Sequence, residues 1–334
     1  DRLLSVLPVQ VTAVGAHVPE KRLTNADLEK MVDTSDDWIV TRTGIRERRL
    51  VAPGEATSDL AAQAARRTLA ARGVGPETVD LLVLATITPD YLVPSTACLT
   101  VEKLGAKNAW GWDLNAACSG FLFALVAGAQ FVATGRHKRV LVVGADVMSA
   151  ITDFTDRQTC VLFGDAAGAF LLEPAADAGS GLRVYVVGSD GKGADLLSIP
   201  AGGSARPTTH ETVDARQQCL RPTGRQVYRL AVEGMVNVTR SILERNRLGI
   251  DDVALYVPHQ ANQRIIDSMI ERLEVPPGRV VVNIDRYGNT TAATLPLAMA
   301  DALEAKRVKQ GDRVVFTTFG AGFTWGSALV RWTY

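Results

Sequence analysis

The chain has 334 residues, enough for one large or two modest domains with a substantial buried core. Lys plus Arg and Asp plus Glu each total 36, so the net charge is zero, which argues against a general nucleic-acid binder with its basic surface. The cysteines lack both CxxC spacing and the density of a disulfide scaffold, which favours a reducing, cytoplasmic setting; they stand at positions 98, 118, 160 and 219.

The first half of the chain alternates between helical and strand patterns, as is typical of an α/β protein with parallel or mixed sheets. An amphipathic pattern predicts a helix over 55–71 that ends at Gly73. A helix is also predicted from Ala117 onward. Apolar runs predict buried strands at 80–86, 108–114 and 139–144.

The second half repeats this order and predicts an internal duplication of an α/β unit. Helices are predicted at 228–245, 264–273 and 291–306, and strands at 253–257, 279–284 and 313–318. The linker 173–181, rich in Pro, Ala, Gly and Asp, predicts a boundary between domains at 1–174 and 182–334.

The segment 114–135 carries no charge and is long enough to span a bilayer. It also contains Asn115, Ser119 and Gln130 together with several small residues. A helix that is apolar on all sides inside a large core explains this composition better, and no membrane association is expected.

Cys118 lies where the predicted strand at 108–114 turns into a helix. Backbone N–H groups and the macrodipole at a helix N-terminus favour a thiolate, and the small neighbours leave room for a substrate. The sequence therefore predicts a covalent nucleophile at this position. The alternative is a buried structural cysteine.

Two downstream segments carry the candidate partners of this cysteine. His259 directly follows a predicted buried strand, and Asn289 lies at a second predicted helix start. A Cys, a His and an Asn that converge from three loops would combine a nucleophile with two hydrogen-bond donors. The alternatives are a core or capping histidine and ordinary turn chemistry at Gly288 and Asn289.

Several blocks, in order along nearly the whole chain, resemble the β-ketoacyl-ACP synthase III family of the thiolase superfamily. These blocks are 33–46, 115–120, 156–157, 258–262, 287–293 and 319–326. The resemblance implies a five-layered αβαβα sandwich built from two duplicated halves. It also implies a homodimer, acyl-CoA and malonyl-ACP as substrates, and no resident cofactor or metal.

The resemblance assigns roles to the three candidate residues. Cys118 would accept the acyl group from acyl-CoA, and His259 and Asn289 would bind the malonyl thioester oxygen and stabilise the enolate after decarboxylation. Backbone N–H groups of Cys118 and Ala321 would form the oxyanion hole for the acyl thioester. Two preorganised donors can stabilise such charge without a metal.

The resemblance also implies contacts with both substrates. Trp38 and Arg157 would enclose the CoA adenine by stacking and cation–π contact, Arg42 would lie near the phosphates, and Asn262 would contact the pantetheine arm. Arg229 and Arg264 match positions that present basic side chains to the acidic carrier protein. A solvated surface charge is the alternative for each of these arginines.

Three positions bear on the substrate pocket. Ala321 stands where the family commonly has Gly, so its backbone must adopt a conformation that Ala tolerates. Val93 stands where several relatives carry a Phe that narrows the acyl pocket of the neighbouring subunit, which favours a longer or branched primer. Phe319 is the other residue predicted to line the acyl pocket.

Other functions of the same fold are the alternatives. The main one is an acyltransferase or condensing enzyme of secondary metabolism. A biosynthetic thiolase is disfavoured because no second Cys lies near 320–322, and an inactive carrier-binding partner is disfavoured by the intact Cys, His and Asn set.

Overall fold

The computed structural model describes residues 8–177 and 179–334. The strands are β1 (Val9–His17), β2 (Lys21–Thr24), β3 (Glu47–Leu50), β4 (Leu81–Ala85), β5 (Trp110–Leu114), β6 (Val140–Asp146), β7 (Ala166–Pro174), β8 (Gly181–Ser189), β9 (Leu197–Ser198), β10 (Arg221–Pro222), β11 (Leu255–Pro258), β12 (Arg313–Gly320) and β13 (Thr324–Arg331). The α-helices are α1 (Asn25–Leu28), α2 (Asp36–Thr43), α3 (Thr57–Arg72), α4 (Thr96–Leu104), α5 (Gly120–Ala133), α6 (His210–Asp214), α7 (Gly224–Arg245), α8 (Gln263–Leu273), α9 (Ile284–Tyr287) and α10 (Thr294–Glu304).

The four strands of one mixed sheet correspond in order and direction to four of the five strands of the other. The first is β1-β7-β6-β4-β5, in which β4 is parallel to β5 and β6, and β7 is antiparallel to both neighbours. The second is β8-β13-β12-β11, in which β11 is parallel to β12 and β13 is antiparallel to both neighbours. Strand by strand, β8, β13, β12 and β11 repeat β1, β7, β6 and β4, as the predicted duplication requires.

Helices α5 and α10 form a central layer between the two sheets. One buried apolar cluster combines residues of both helices with strand residues from both sheets, among them Phe121, Phe170, Leu295 and Phe316. A second cluster packs α3 and α4 on the outer face of the first sheet, and a third packs α7 and α8 on the outer face of the second. The predicted five-layered αβαβα architecture is therefore confirmed.

The ends of α3 follow from local chemistry. The Asp59 carboxylate accepts a hydrogen bond from the Ala56 N–H at 3.0 Å, which satisfies one of the free donors at the start of the helix. Gly73 ends the helix with φ 74°, a left-handed conformation that suits glycine. The prediction of a helix over 55–71 ended by Gly73 differs from the observed bounds by two residues at most.

The strand predicted at 279–284 is wrong. Only Val280 pairs with β11, as an isolated bridge to Tyr256, and α9 begins at Ile284. The side chain of Gln260 takes the place of a neighbouring strand, since it donates to Val281 O at 3.1 Å and accepts from Asn283 N at 3.1 Å. Side-chain hydrogen bonds thus replace the ladder that the apolar run implied.

The first sheet ends with β7 at residue 174 and the second begins with β8 at residue 181. Domains at 1–174 and 182–334 stay a prediction; residues 1–7 and linker position 178 lie outside the described residues. Among the described helices, none has the length and hydropathy needed to cross a membrane.

Candidate active site between the two halves

Cys118 lies in a short 3-10 turn, Ala117–Ser119, between β5 and α5. The Asn115 side chain accepts a hydrogen bond from Ala117 N at 3.3 Å, and Ala117 has φ 47°, so the chain turns sharply just before the cysteine. From the other half, Thr318 Oγ1 donates to Cys118 O at 2.9 Å. Gly320 passes so close that an added Cβ would lie 2.8 Å from Cys118 N, which explains a glycine here.

The Cys118 thiol is buried, and burial raises its pKa to about 12, with the nearby Asp146 carboxylate acting in the same direction. The backbone N–H groups of Cys118 and Ala321 lie near enough to the sulfur to offset part of this rise in pKa. Burial thus acts against the effect that the helix start was expected to have on the thiol. α5 begins at Gly120, beyond the cysteine, and desolvation outweighs the two N–H contacts.

His259 directly follows β11 and is only 1% exposed. Its backbone N–H donates to Thr317 O at 2.8 Å. Burial lowers the pKa of the imidazole to about 3, so the ring is neutral near pH 7 and one ring nitrogen carries a hydrogen. A neutral imidazole of this kind can donate a hydrogen bond to a substrate oxygen.

Asn289 is buried, and hydrogen bonds fix its carboxamide. Its Oδ1 accepts from Thr291 N at 3.0 Å, which leaves Nδ2 as the free donor. The backbone is held as well, because Asn289 N donates to Leu162 O at 2.8 Å and Asn289 O accepts from Gly164 N at 3.1 Å.

The structure brings the three residues to one centre between the halves. Consecutive residues of β12 hold two of them, since Thr317 O accepts from His259 N and Thr318 Oγ1 donates to Cys118 O. The third is close because the 3-10 turns Ala117–Ser119 and Thr291–Ala293 pack on each other.

The duplication relates Asn289 to Asn115 rather than to Cys118. The side chain of each asparagine accepts a hydrogen bond from the backbone N–H two residues later. The donor residue has a positive φ in both cases, 47° at Ala117 and 46° at Thr291. Sequence reasoning placed Cys118 and Asn289 at equivalent helix starts, and the turn geometry shifts that equivalence by three residues.

Trp38 and two arginines form a cluster on the surface. The Arg42 guanidinium lies 4.5 Å and that of Arg157 lies 5.5 Å from the centroid of the Trp38 indole. Arg157 also donates to Asp33 O at 2.9 Å. The two cations thus lie on the ring where an adenine is predicted to stack, and a nucleotide would displace at least one of them.

Asn262 has a structural role in this arrangement. Its Oδ1 accepts from Arg264 N at 2.9 Å and caps α8, and its Nδ2 donates to Arg42 O at 3.0 Å. The side chain therefore joins α8 to α2 beside the Trp38 cluster. A contact with a pantetheine arm stays a prediction.

Arg229 and Arg264 are both exposed on neighbouring helices. The Arg264 guanidinium lies 5.7 Å from the centroid of the Tyr228 ring, and Tyr228 Oη is 2.8 Å from Ser268 Oγ. The two arginines therefore lie on one surface at the N-terminal ends of α7 and α8.

The two residues predicted to line the acyl pocket lie in different surroundings. Val93 is 86% exposed, next to Tyr91 and Leu92, which are also exposed. The Phe319 ring lies 4.9 Å from that of Phe323, in the cluster on the outer face of the second sheet. The neighbouring residues of β12 face Cys118 instead, so these contacts do not support an acyl-pocket role for Phe319.

The chain resembles known proteins along nearly its whole length. Residues 112–191 match 3-oxoacyl-[acyl-carrier-protein (ACP)] synthase III, and residues 243–332 match the C-terminal part of the same family. A β-ketoacyl-[acyl-carrier-protein] synthase III of Solibacter usitatus is 53% identical over 327 residues, which cover 97% of this chain and 99% of the relative. The chain belongs to the 3-oxoacyl-ACP synthase III family.

Solved structures agree with this membership. The 3-oxoacyl-[acyl-carrier-protein] synthase III from Aquifex aeolicus has a TM-score of 0.90 and 41% identity, with 97% of this chain and all of that chain covered. The priming β-ketosynthase from the R1128 polyketide biosynthetic pathway has a TM-score of 0.92 and 34% identity, with 100% and 98% covered.

Ala321, where the resemblance predicts a glycine in this family, is accommodated without strain. Ala321 is not among the described non-glycine residues with positive φ, whereas Gly322 has φ 139°. The glycine-only conformation thus falls on the next residue, and the Ala321 N–H still reaches the sulfur.

Sequence reasoning missed Asp146 and Thr318, which hold the two turns of the site. Asp146 lies two residues beyond the strand predicted at 139–144 and ends the observed β6, and an acidic residue directly after an apolar run was the available signal. Within the part of the chain that the structure describes, no three His, Cys, Asp or Glu side chains group as a metal site would require.

Proposed function

We propose that the chain catalyses the decarboxylative condensation of an acyl-CoA primer with malonyl-ACP through an acyl–Cys118 thioester. The products are 3-oxoacyl-ACP, CoA and CO2, and the reaction initiates fatty acid synthesis. The observation that carries this proposal is the combination, at one buried centre, of a thiol within reach of two backbone N–H groups and two neutral donor side chains.

The first step is transfer of the acyl group. The Cys118 sulfur attacks the acyl-CoA carbonyl, the bond from carbon to the CoA sulfur breaks, and the thiol proton ends on the departing CoA. The N–H groups of Cys118 and Ala321 stabilise the oxyanion, since they already reach the sulfur. Loss of one such donor elsewhere costs about 10²–10³ in rate.

The second step is decarboxylation and carbon–carbon bond formation. Malonyl-ACP loses CO2, and the electron pair passes into an enolate whose oxygen accepts from His259 and from Asn289 Nδ2. The carbanion then attacks the acyl carbonyl, and Cys118 leaves and takes up a proton. Two preorganised neutral donors suit an oxygen that gains charge, so we propose that no resident cofactor is needed.

We also propose that a homodimer is the working form. The loop with Tyr91, Leu92 and Val93 presents three exposed apolar side chains, with exposures of 62%, 88% and 86%. Strand β5 is an edge of the first sheet and carries Trp110, which is 51% exposed. A second copy would cover this apolar surface and the free strand edge.

Val93 is smaller than the Phe expected at this position in several relatives, which supports a primer longer than acetyl. If Val93 lines the acyl pocket across the dimer, Val93→Phe removes room for about three methylenes, or roughly 2 kcal/mol of long-primer binding. We expect kcat/KM for a medium-chain acyl-CoA to fall relative to acetyl-CoA, with the dimer checked by sizing. An unchanged ratio in a dimeric variant would remove Val93 from the pocket.

The second candidate is priming of a polyketide, because the R1128 priming β-ketosynthase has the same fold over nearly all of both chains. Both candidates use the same condensation and differ in the fate of the product. Comparison of a fatty-acid carrier protein with a polyketide carrier protein as malonyl donor distinguishes them.

Separate assays of the two half-reactions test the proposed function. His259→Ala and Asn289→Ala are expected to keep acylation of Cys118, measured by intact-protein mass spectrometry, and to lose decarboxylation of malonyl-ACP. Cys118→Ser is expected to lose acylation, because its hydroxyl has no evident base. A histidine or asparagine variant that loses acylation and keeps decarboxylation would reverse the roles.

A further inference from the structure

Asp146, the last residue of β6, is a buried carboxylate at the meeting point of the two halves. Its Oδ1 accepts from Thr86 Oγ1 at 2.9 Å, Ile87 N at 2.8 Å and Thr88 Oγ1 at 3.1 Å. Its Oδ2 accepts from Ala292 N at 3.0 Å and from Thr291 Oγ1. Among the described residues, it forms no salt bridge, so neutral donors hold the carboxylate.

A backbone N–H faces each oxygen of Asp146, and an N–H can only donate. An ionised carboxylate satisfies both donors, whereas an Asn side chain offers one oxygen and one NH2 group. Replacement by Asn therefore turns an NH2 group toward either Ile87 N or Ala292 N and leaves that backbone donor unpaired.

The Oδ2 side of Asp146 holds the turn that orients Asn289. Thr291 is a β-branched residue at φ 46°, a strained conformation that persists only when its surroundings fix it. Its hydroxyl is bound to Asp146, and its backbone N–H donates to Asn289 Oδ1 at 3.0 Å. The direction of Asn289 Nδ2 thus depends on where Asp146 holds Thr291.

We propose that Asp146 is a positioning residue for Asn289, whose carboxylate fixes the turn at Thr291 and Ala292 so that Nδ2 points at the malonyl thioester oxygen. The inference rests on the proposed function, in which Asn289 serves decarboxylation and not acylation. Asp146 therefore acts on decarboxylation alone, through a turn that belongs to the C-terminal part of the chain.

The Asp146 carboxylate gives a second readout: burial raises its pKa, and the hydrogen bonds from Thr291, Ile87 and Ala292 counteract that rise and favour the charged form. Burial is the main cause of the raised pKa values of Cys118 and Asp165, and the Asp146 charge raises both further. Removal of this charge moves the alkylation profile of Cys118 to lower pH. Looser packing around the thiol would shift the profile in the same direction, so the shift supports the inference only where the Asp165→Asn variant does not show it.

The test compares Asp146→Asn with Asp165→Asn in the full chain. Asp165 is also buried, and its carboxylate accepts from Ser149 and Val51 rather than from the turn at 291–292, although the backbone of the preceding Gly164 binds Asn289 O. For Asp146→Asn we expect decarboxylation of malonyl-ACP to fall about 10–100-fold, with acylation by acetyl-CoA changed less than about threefold. The Asp165→Asn control is expected to show no such split.

Thr291 provides a milder pair of variants if Asp146→Asn folds poorly. Thr291→Val keeps the shape and removes the hydroxyl bound to Asp146, and Thr291→Ser keeps that hydroxyl. The serine variant is expected to retain more decarboxylation than the valine variant.

The possible results separate this inference from the proposed function. If the unchanged chain does not decarboxylate malonyl-ACP, the proposed function fails. If the unchanged chain decarboxylates malonyl-ACP, and Asp146→Asn and Thr291→Val do so at the same rate, the positioning role is refuted. An equal loss of both half-reactions in Asp146→Asn, like that of the Asp165→Asn control, refutes it as well.

Discussion

At the scale of single residues, the site holds its reactive groups uncharged before substrate arrives. Burial raises the pKa of the Cys118 thiol to about 12 and lowers that of the His259 imidazole to about 3. Both shifts disfavour a thiolate–imidazolium pair near neutral pH. The nucleophile must lose its proton during the reaction with acyl-CoA, when the oxyanion donors also come into use.

The raised pKa predicts slow alkylation of Cys118 near pH 7. Because the thiolate is the reactive form, the rate with iodoacetamide is expected to rise about tenfold per pH unit and to continue rising past pH 9, where an ordinary thiol levels off. Mass spectrometry of the modified site measures this rate. The exposed Cys98 is the internal control, and a plateau of Cys118 near pH 8 would contradict the prediction.

His259 predicts a specific loss of stability in acid. Below pH 6.5 the unfolded imidazole binds a proton and the folded one does not, so the free energy of unfolding falls by about 1.4 kcal/mol per pH unit until the folded pKa is reached. Urea titrations from pH 7.5 to 4.5 should show a shallower dependence in His259→Asn than in the unchanged chain. The exposed His210→Asn is the control, and parallel curves for His259→Asn would rule out a buried neutral ring.

The sequence identified Cys118, His259 and Asn289 correctly as residues that meet. Cys118 and His259 each follow a predicted strand that the structure contains, whereas Asn289 was found through the resemblance, which covers all three. The roles of these residues stay predictions. The role of Asp146 was not predicted, because its five hydrogen-bond donors come from the loop at 86–88 and from the turn at 291–292, and no local sequence pattern links these segments.

At the scale of elements, the central helix α5 bears on the stability of the whole chain. Phe121 is fully buried, and its ring lies edge-on to Phe170 of β7 at a centroid distance of 4.9 Å. Other members of the same cluster come from α10 and from the second sheet. The uncharged segment that could have suggested a membrane span is therefore explained by burial between two sheets.

Phe121→Ala is expected to lower the free energy of unfolding by about 3–5 kcal/mol, through lost burial and a cavity that packed sheets cannot close. Chemical denaturation measures the change. Gln130→Ala, at an exposed position of the same helix, is the matched control and should shift stability by less than about 0.5 kcal/mol. Equal effects of both variants would show that α5 is not the packing centre.

Element prediction succeeded where apolar periodicity decides the structure and failed where side chains replace backbone pairing. The run at 279–284 has the composition of a strand. Gln260 occupies its hydrogen-bonding edge, and Arg307 Nη2 donates to Val280 O at 2.9 Å. Strand β7, by contrast, begins with small residues, Ala166 to Ala169, that give little strand signal on their own.

At the scale of the whole molecule, a neutral chain can still carry a local positive surface. Arg229 and Arg264 are exposed at the N-terminal ends of α7 and α8, and the Arg264 guanidinium lies against Tyr228. Because the carrier protein is proposed to be acidic, these arginines would act on its encounter with the synthase.

Arg264→Glu is expected to raise KM for malonyl-ACP roughly three- to tenfold at low salt, since one exposed ion pair contributes about 0.2–1 kcal/mol and reversal makes it repulsive. KM for acyl-CoA should change little, and added salt should reduce the effect. Arg245→Glu, in the last turn of α7 and roughly 24 Å from Arg229 along the helix, is the control. Equal effects on both substrates would place Arg264 at the CoA channel.

The strand ends of each half contact the site turn of the other half, which constrains the substitutions that either half can accept. Asp146 of the first half holds the turn at 291–292, while Thr318 and Gly320 of the second half close on Cys118. Each half thus fixes the conformation of a site turn that belongs to the other half. A chimera that takes its two halves from distant relatives is therefore expected to join turns and strand ends that fit each other poorly.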